Sequence, residues 1–188
     1  MKVIETELPG VLILEPRVFG DPRGFFLETY HAARYREVGI DGRFVQDNHS
    51  RSRQGVLRGL HYQLVQPQGK LVSVLRGRVF DVAADIRRGS PTFGRWASAL
   101  LDEYSHRQMY IPPGFAHGFC VLSDEVDLVY KCTDYYHPQS EHGIAWNDPE
   151  IGIEWPVLEV TLSDKDTRHP RLSAQRSENL PVYELTTP

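Results

Sequence analysis

Val79-Phe80-Asp81-Val82-Ala83-Ala84-Asp85-Ile86 decides the fold class of this chain. In an extended backbone, alternate side chains point to opposite faces. Phe80, Val82, Ala84 and Ile86 therefore share one face, while Asp81 and Asp85 lie on the other. Similar short runs lie on both sides of this one: Val11–Leu14, Phe25–Thr29, Phe44–Gln46, Val56–Gln63 and Lys70–Leu75 before it. Trp96–Leu101, Gln108–Ile111, Gly118–Leu122, Val126–Thr133 and Gly143–Trp146 follow. Turn chemistry separates them, as in Gly20-Asp21-Pro22-Arg23-Gly24, Arg76-Gly77-Arg78, Gly89-Ser90-Pro91 and Pro112-Pro113-Gly114. Many short strands with frequent turns predict an all-β sandwich or barrel. A helix is expected only over His31–Val38, with Gly39 placed to stop it.

The 188 residues suit one domain, 1–188, with a C-terminal segment from about Thr161 expected to wrap it as helix or loop. A composition of 40% hydrophobic and 24% charged residues is that of a folded chain, which argues against disorder. The net charge of -4, with no basic block, argues against nucleic-acid binding and leaves only local basic clusters for anionic ligands. No apolar run is long enough to span a bilayer, so no membrane partner is expected. The start, MKVIETELPG, lacks the apolar core of a signal peptide. Cys120 and Cys132 sit in apolar runs and read as buried free thiols, so the expected compartment is the cytoplasm.

The candidate chemistry centres on Gly55-Val56-Leu57-Arg58-Gly59-Leu60-His61-Tyr62-Gln63, with Lys70 just beyond a turn. Histidine titrates near neutral pH and can act as a base. Fixed positive charge stabilises an oxyanion beside a carbonyl. Each residue also has a bland reading. A lone His61 is more often a core histidine bonded to a carbonyl, and Lys70 either starts its strand at the solvent edge or points into a cavity. His117, aimed by the rigid Pro112-Pro113-Gly114 turn, could equally be a loop histidine. Tyr130 shares a face with Val126 and Leu128 and should point inward, where most phenols only satisfy their hydroxyl. Arg23 with Glu28 reads as a surface turn, and Lys165 with Asp166 as a solvated charge run. A catalytic metal is not expected. Gln63 stands where a second ligand of a His-x-His pair would be, and His61 with His117 is too few.

In combination these stretches resemble a known family. Arg58-Gly59-Leu60-His61-Tyr62-Gln63 with Lys70, Phe19 to Glu28, Val45 to Ser50 and Pro112 to Phe119 are similar to dTDP-4-dehydrorhamnose 3,5-epimerases of the cupin superfamily. So are Tyr130 to Tyr136, Ile144 to Pro149 and Leu162 to Asp166, and the similarity runs in order from about Val11 to Asp166. The resemblance implies a cupin-type jelly-roll barrel with short peripheral helices, no metal and no cofactor. It implies a homodimer in which N-terminal strands pair across subunits. The implied substrate is a dTDP-ketosugar, dTDP-4-dehydro-6-deoxy-glucose, inverted at C3 and C5 to dTDP-4-dehydro-L-rhamnose on the way to dTDP-L-rhamnose for surface polysaccharide.

By the same resemblance, His61 is the base with Asp166 as its carboxylate partner. Tyr130 is the acid on the opposite face, and Lys70 holds the enolate oxygen. Arg23, Glu28, Gln46, Asn48, Arg58, His117, Glu141 and Lys165 contact sugar, diphosphate or nucleoside. Tyr136 lies under thymine, and Asp81 is a pocket aspartate. Arg58 and His61 are three apart, which in a regular strand sends them to opposite faces. A bulge, or a reach inward from the rim, is therefore predicted. The rival readings are a single-carbon epimerase or ketoisomerase, a metal-dependent cupin dioxygenase, and a silent sugar-nucleotide binding module.

Overall fold

The computed structural model describes residues 1–157 and 159–183. Position 158 and the last five residues of the expected 1–188 domain lie outside the described residues. The elements, in order, are β1 (Lys2–Glu5), β2 (Leu12–Glu15), β3 (Val18–Asp21), β4 (Gly24–Leu27), α1 (Ala32–Arg36), β5 (Gln46–Arg53), β6 (Leu57–Gln63) and β7 (Lys70–Arg76). There follow β8 (Arg78–Asp85), β9 (Trp96–Asp102), β10 (Gln108–Ile111), β11 (Phe115–Val121), β12 (Glu125–Cys132) and β13 (Glu141–Gly143). The expected helix forms, with His31 as its N-cap and Gly39 at φ +87 just past its end.

Two antiparallel sheets face one another. One runs β1-β2-β10-β7-β12-β5, the other β13-β6-β11-β8-β9, and β3-β4 forms a separate hairpin. This is the all-β architecture the strand pattern predicted, and it fits the cupin-type fold that the resemblance implies. The sheets stay separate among the described residues, so the barrel is open at its edges rather than closed by hydrogen bonds. Val72, Val74 and Leu128 from one sheet pack with Val79, Ala83, Phe115 and Phe119 from the other to form the apolar part of the interior.

Strand β8 explains why the sheet beneath the site is buried twice. Its Val79 and Ala83 face the interior core, and Ala84 faces a second cluster on the outside, together with Ile86 just beyond the strand. That outer cluster is covered by Leu172 and Leu180 of the C-terminal segment, which contributes three short 3-10 turns: Asp166–Arg168, Leu172–Ala174 and Ser177–Asn179. The aspartate face is thus the inner face, and each aspartate needs a partner there. Asp85 accepts from Arg87, Ser90 and Thr92, and Asp81 lies 2.8 Å from His117 Nε2.

Some strand expectations move. Phe44–Gln46 underestimates β5, which runs to Arg53 with hardly an apolar residue. Its Gln46, Asn48 and Ser50 line the interior cavity, and its Asp47, His49 and Arg51 pair outside with Lys131 and Asp127 on β12. The strand alternates neutral polar against charged, a period that a search for apolar alternation passes over. Strands β1 and β3 were likewise not anticipated, and Gly143–Trp146 is replaced by β13, which ends at Gly143.

The predicted bulge is present in β6. His117 pairs with His61, but Phe119 pairs with Arg58, so Gly59 and Leu60 together oppose Gly118. One extra residue reverses the phase, and Arg58 and His61 both reach the same cavity. Glycine is required on both strands. A Cβ on Gly59, which has φ +130, would lie 2.5 Å from Gly118 Cα; one on Gly118 would lie 2.8 Å from the Arg58 carbonyl. Gly59→Ala should lower stability by about 3–5 kcal/mol, the sum of backbone strain and overpacking. Gly89→Ala, with φ +83 and open space around it, should cost only about 1–2 kcal/mol. Urea midpoints at constant m-value would test the difference, and equal losses in the two variants would rule out the close approach as its cause.

Candidate active site

The cavity between the sheets has a volume of about 560 Å³, within the range of small-molecule sites. Strand β6 brings His61 and Arg58 to it, and β11 brings His117 and Phe119. From the facing sheet come Gln46, Asn48 and Ser50 on β5, Lys70 on β7 and Tyr130 on β12. Tyr136, Glu141, Lys165 and Asp166 complete the wall. Of the residues singled out in the sequence, these eleven meet in one space: Gln46, Asn48, Arg58, His61, Lys70, His117, Tyr130, Tyr136, Glu141, Lys165 and Asp166. Asp81 stands directly behind, bonded to His117.

Arg23 and Glu28 are not brought there. Arg23 is at the exposed tip of the β3-β4 hairpin, paired with Asp21, and Glu28 pairs with Arg34 in a different cleft. Two phenylalanines of the same hairpin stand in the open, Phe25 at 62% and Phe26 at 70% exposure.

His61 Nε2 lies 2.6 Å from Asp166 Oδ1, across 105 residues of sequence. Asp166 is buried at the start of a 3-10 turn, and its own N–H donates to Ser163 Oγ. Burial alone would raise the Asp166 pKa. Contacts from His169, His61 and Ser163 outweigh it and hold the carboxyl well below its ordinary range. The carboxylate is thus ionised and accepts, so His61 Nε2 carries the proton and Nδ1 keeps a free lone pair. Burial lowers the His61 pKa, and the hydrogen bond and charge of Asp166 only partly offset this. A neutral imidazole with a fixed tautomer is the resting state of a general base.

Lys70 is pressed into the cavity wall. Desolvation lowers its ammonium pKa, against the opposing influence of Cys132, Asp81 and Glu141. Tyr130, half-buried, has its phenol pKa raised, first by desolvation and then by Cys132. A polar chain links the rim: Tyr136 OH donates to Glu141 at 2.6 Å, Lys165 Nζ donates to the same carboxylate, and Tyr136 N–H donates to Gln46. Desolvation would raise Glu141, but Lys165 and Tyr136 outweigh it and lower its pKa. The hydrogen bond to Glu141 pushes the Tyr136 phenol up to about 12. Arg58 donates through Nε and Nη2 to Ser52 Oγ at 3.2 and 3.0 Å, which holds its guanidinium at the cavity side.

Sequence reading missed His169. Its ring lies 5.5 Å from that of His61, and its Nε2 is 3.4 Å from Asp166 Oδ1. The signal was present as a three-residue spacing from Asp166. It becomes a contact only because the chain makes a 3-10 turn there, where residues three apart share a side.

Comparison with known proteins identifies the family. Residues 5–174 match the family model described as dTDP-4-dehydrorhamnose 3,5-epimerase. A dTDP-4-dehydrorhamnose 3,5-epimerase of Shigella flexneri is 59% identical over 169 residues, covering 88% of this chain and 93% of that protein. One of Neisseria gonorrhoeae is 57% identical over 167 residues; the match spans 88% of this chain and about half, 51%, of that longer protein. The crystal structure of a dTDP-6-deoxy-D-glucose-3,5-epimerase from Legionella pneumophila Philadelphia 1, in complex with dTDP-4-keto-L-rhamnose, superposes with a TM-score of 0.96. It is 56% identical, over 97% of this chain and 98% of the other. By the extent and closeness of these matches, the chain belongs to the dTDP-4-dehydrorhamnose 3,5-epimerase family.

Proposed function

We propose that this protein epimerises dTDP-4-dehydro-6-deoxy-α-D-glucose at C3 and C5, giving dTDP-4-dehydro-β-L-rhamnose for dTDP-L-rhamnose synthesis. The observation that carries this reading is the placement of His61 on one sheet, and Tyr130 and Lys70 on the other, around a single cavity. The C3 and C5 protons are acidic only because the C4 ketone can take up the charge. His61 Nδ1 removes a proton from one face, the electron pair moves to the ketone oxygen, and the Lys70 ammonium stabilises the enolate. Tyr130 returns a proton from the opposite face, and the centre inverts. Asp166 holds the tautomer and stabilises the imidazolium while it lasts. Arg58, His117 and Lys165 supply the local positive or donor groups that a diphosphate needs on a chain of net charge -4. Tyr136, with Gln46 and Asn48, forms the rim for the nucleoside, and Glu141 fixes Tyr136 and Lys165. Every group named is a side chain of the protein, so the reaction as written asks for no metal or cofactor. Two buried free cysteines fit a reducing compartment, in keeping with a cytoplasmic enzyme.

The working unit in this reading is a homodimer. Arg23 and Glu28 lie far from the cavity of their own chain, on or beside a hairpin that holds Phe25 and Phe26 in solvent. Apolar surface of this kind is what a subunit contact covers. The hairpin reaches a partner's cavity and brings Arg23 and Glu28 to its ligand. Phe26→Asp should convert the dimer to monomers in sedimentation velocity and lower kcat/KM with them. A fully active monomer would remove the partner from the mechanism.

Deuterium incorporation from heavy water tests the chemistry. Label should enter at both C3 and C5, and label at one centre only would favour a single-carbon epimerase. His61→Ala should slow exchange by about 10²–10⁴-fold, the usual contribution of a general base. Tyr130→Phe should exchange protons yet lose or redirect inversion. Unchanged epimerisation in both variants contradicts the assigned roles.

The pH profile follows from the sign of each shift. The imidazole works only when neutral, so kcat/KM rises with pH through the His61 pKa, set below the ordinary 6.5. The ammonium works only when charged, so activity falls through the Lys70 pKa, set below 10.5. Tyr130, raised above 10.0, keeps its proton beyond that point. Lys70→Arg should therefore move the alkaline limb upward at a reduced rate, while Tyr130→Phe leaves its position unchanged. An alkaline limb that disappears in Tyr130→Phe would assign it to the phenol instead.

A further inference from the structure

We propose that the back of the catalytic base is an inhibitory zinc site, formed by His61 Nε2, an Asp166 carboxylate oxygen and His169 Nε2. One ligand atom from each of these residues lies within 4.8 Å of the others, and both Nε2 atoms approach Asp166 Oδ1. A tetrahedral zinc with bonds of about 2.0–2.1 Å holds its ligand atoms about 3.3 Å apart. His169 Nε2 and Asp166 Oδ1 already stand at 3.4 Å, while His61, at 2.6 Å from Oδ1, has to draw back. Two imidazole nitrogens and one carboxylate suit zinc and disfavour magnesium or calcium.

A second observation points to the same spot. The His169 side chain is 10% exposed and its Nε2 is shut off from solvent; that nitrogen makes no hydrogen bond among the described residues, although Asp166 Oδ1 stands 3.4 Å away. A buried ring nitrogen left without a partner is costly. The ring is admitted by a glycine: a Cβ at Gly143 would fall 2.4 Å from its Cε1 and Nε2. The sequence count of only two useful histidines, His61 and His117, left this third one out.

The consequence for the base is a matter of tautomers. Resting His61 has its one ring proton on Nε2, facing Asp166, and its lone pair on Nδ1, facing the sugar. Zinc takes the Nε2 lone pair only when that proton has left. A neutral ring must then carry the proton on Nδ1, relayed by water. The proton count is unchanged, but the nitrogen that should accept from the sugar has become a donor. Zinc also occupies the carboxylate that stabilises the imidazolium. The bound ion is thus an inhibitor acting behind the base, which leaves the sugar cavity itself open.

The inhibition rests on the epimerase reading, whereas zinc binding does not, and the two are read separately. Tag-free protein is titrated with zinc against a chromophoric chelator, with magnesium as the comparison ion. One zinc per chain is expected, with no competition from magnesium. His169→Gln should weaken the affinity by about 100-fold or more, the upper end of the loss caused by removing even an outer partner of a metal ligand. In parallel, deuterium exchange into the dTDP-ketosugar should fall in step with zinc occupancy and recover with chelator. In His169→Gln, inhibition relative to that variant's own metal-free rate should need correspondingly more zinc. Equal zinc affinity in the two proteins, equal competition by magnesium, or full exchange in zinc-saturated enzyme overturns the proposal. Absence of exchange in the metal-free wild type would overturn the epimerase reading instead, and the zinc titration would still decide the site.

Discussion

The close approach of β6 and β11 at Gly59 and Gly118 is the constraint on which the site depends. Two residues of one strand must pass one residue of the other, and no side chain fits between them. This single insertion changes the phase of β6 within its own length. Leu60 and Tyr62 continue to pack outward, into the cluster covered by the C-terminal segment. Arg58 and His61 both turn inward, three residues apart. Without the bulge, a sheet buried on both sides would force a choice between the Arg58 guanidinium and the His61 imidazole. With it, one strand delivers both without losing its outer packing.

The interior is divided along its length, and the division accounts for the electrostatics. At one end Val72, Val74, Leu128 and their neighbours make a dry core. At the other, the same strands carry Lys70, Tyr130, His61 and His117. These groups are desolvated by the core beside them, which lowers the pKa of His61 and Lys70 and raises that of Tyr130. Each direction favours the uncharged form. Where a charge must persist, the chain supplies a partner: Asp166 has His61, and Glu141 has Lys165 and Tyr136.

The fold class was legible because Val79 to Ile86 and its neighbours have strand length, apolar faces and strong turn residues between them. Strand β5 was not, because its inner face is polar, to line a cavity, and its outer face is charged, to pair across to β12. Local pattern cannot distinguish that from a loop. Within the site, the motif around His61 was readable locally; the bulge, or a reach from the rim, was expected only once the resemblance put both Arg58 and His61 on the ligand, because a three-residue spacing otherwise sends them to opposite faces. The union of His61 with Asp166 came only from family resemblance, because no local rule joins residues 105 apart. His169 was overlooked for a related reason: its role comes from a 3-10 turn that the charged sequence around it does not signal. Arg23 and Glu28 matched family positions but sit elsewhere, at the tip of the β3-β4 hairpin and in a separate cleft.

The C-terminal segment has a consequence for how the protein matures. Among the described residues both sheets are complete by Gly143, yet the carboxylate beside the His61 imidazole arrives at residue 166, on a strap held down by Leu172 and Leu180. A chain emerging from the ribosome can thus assemble its strands and enclose its cavity while the base is still unsupported. In the proposed reaction the base gains its carboxylate partner only once this segment has docked on the outer cluster.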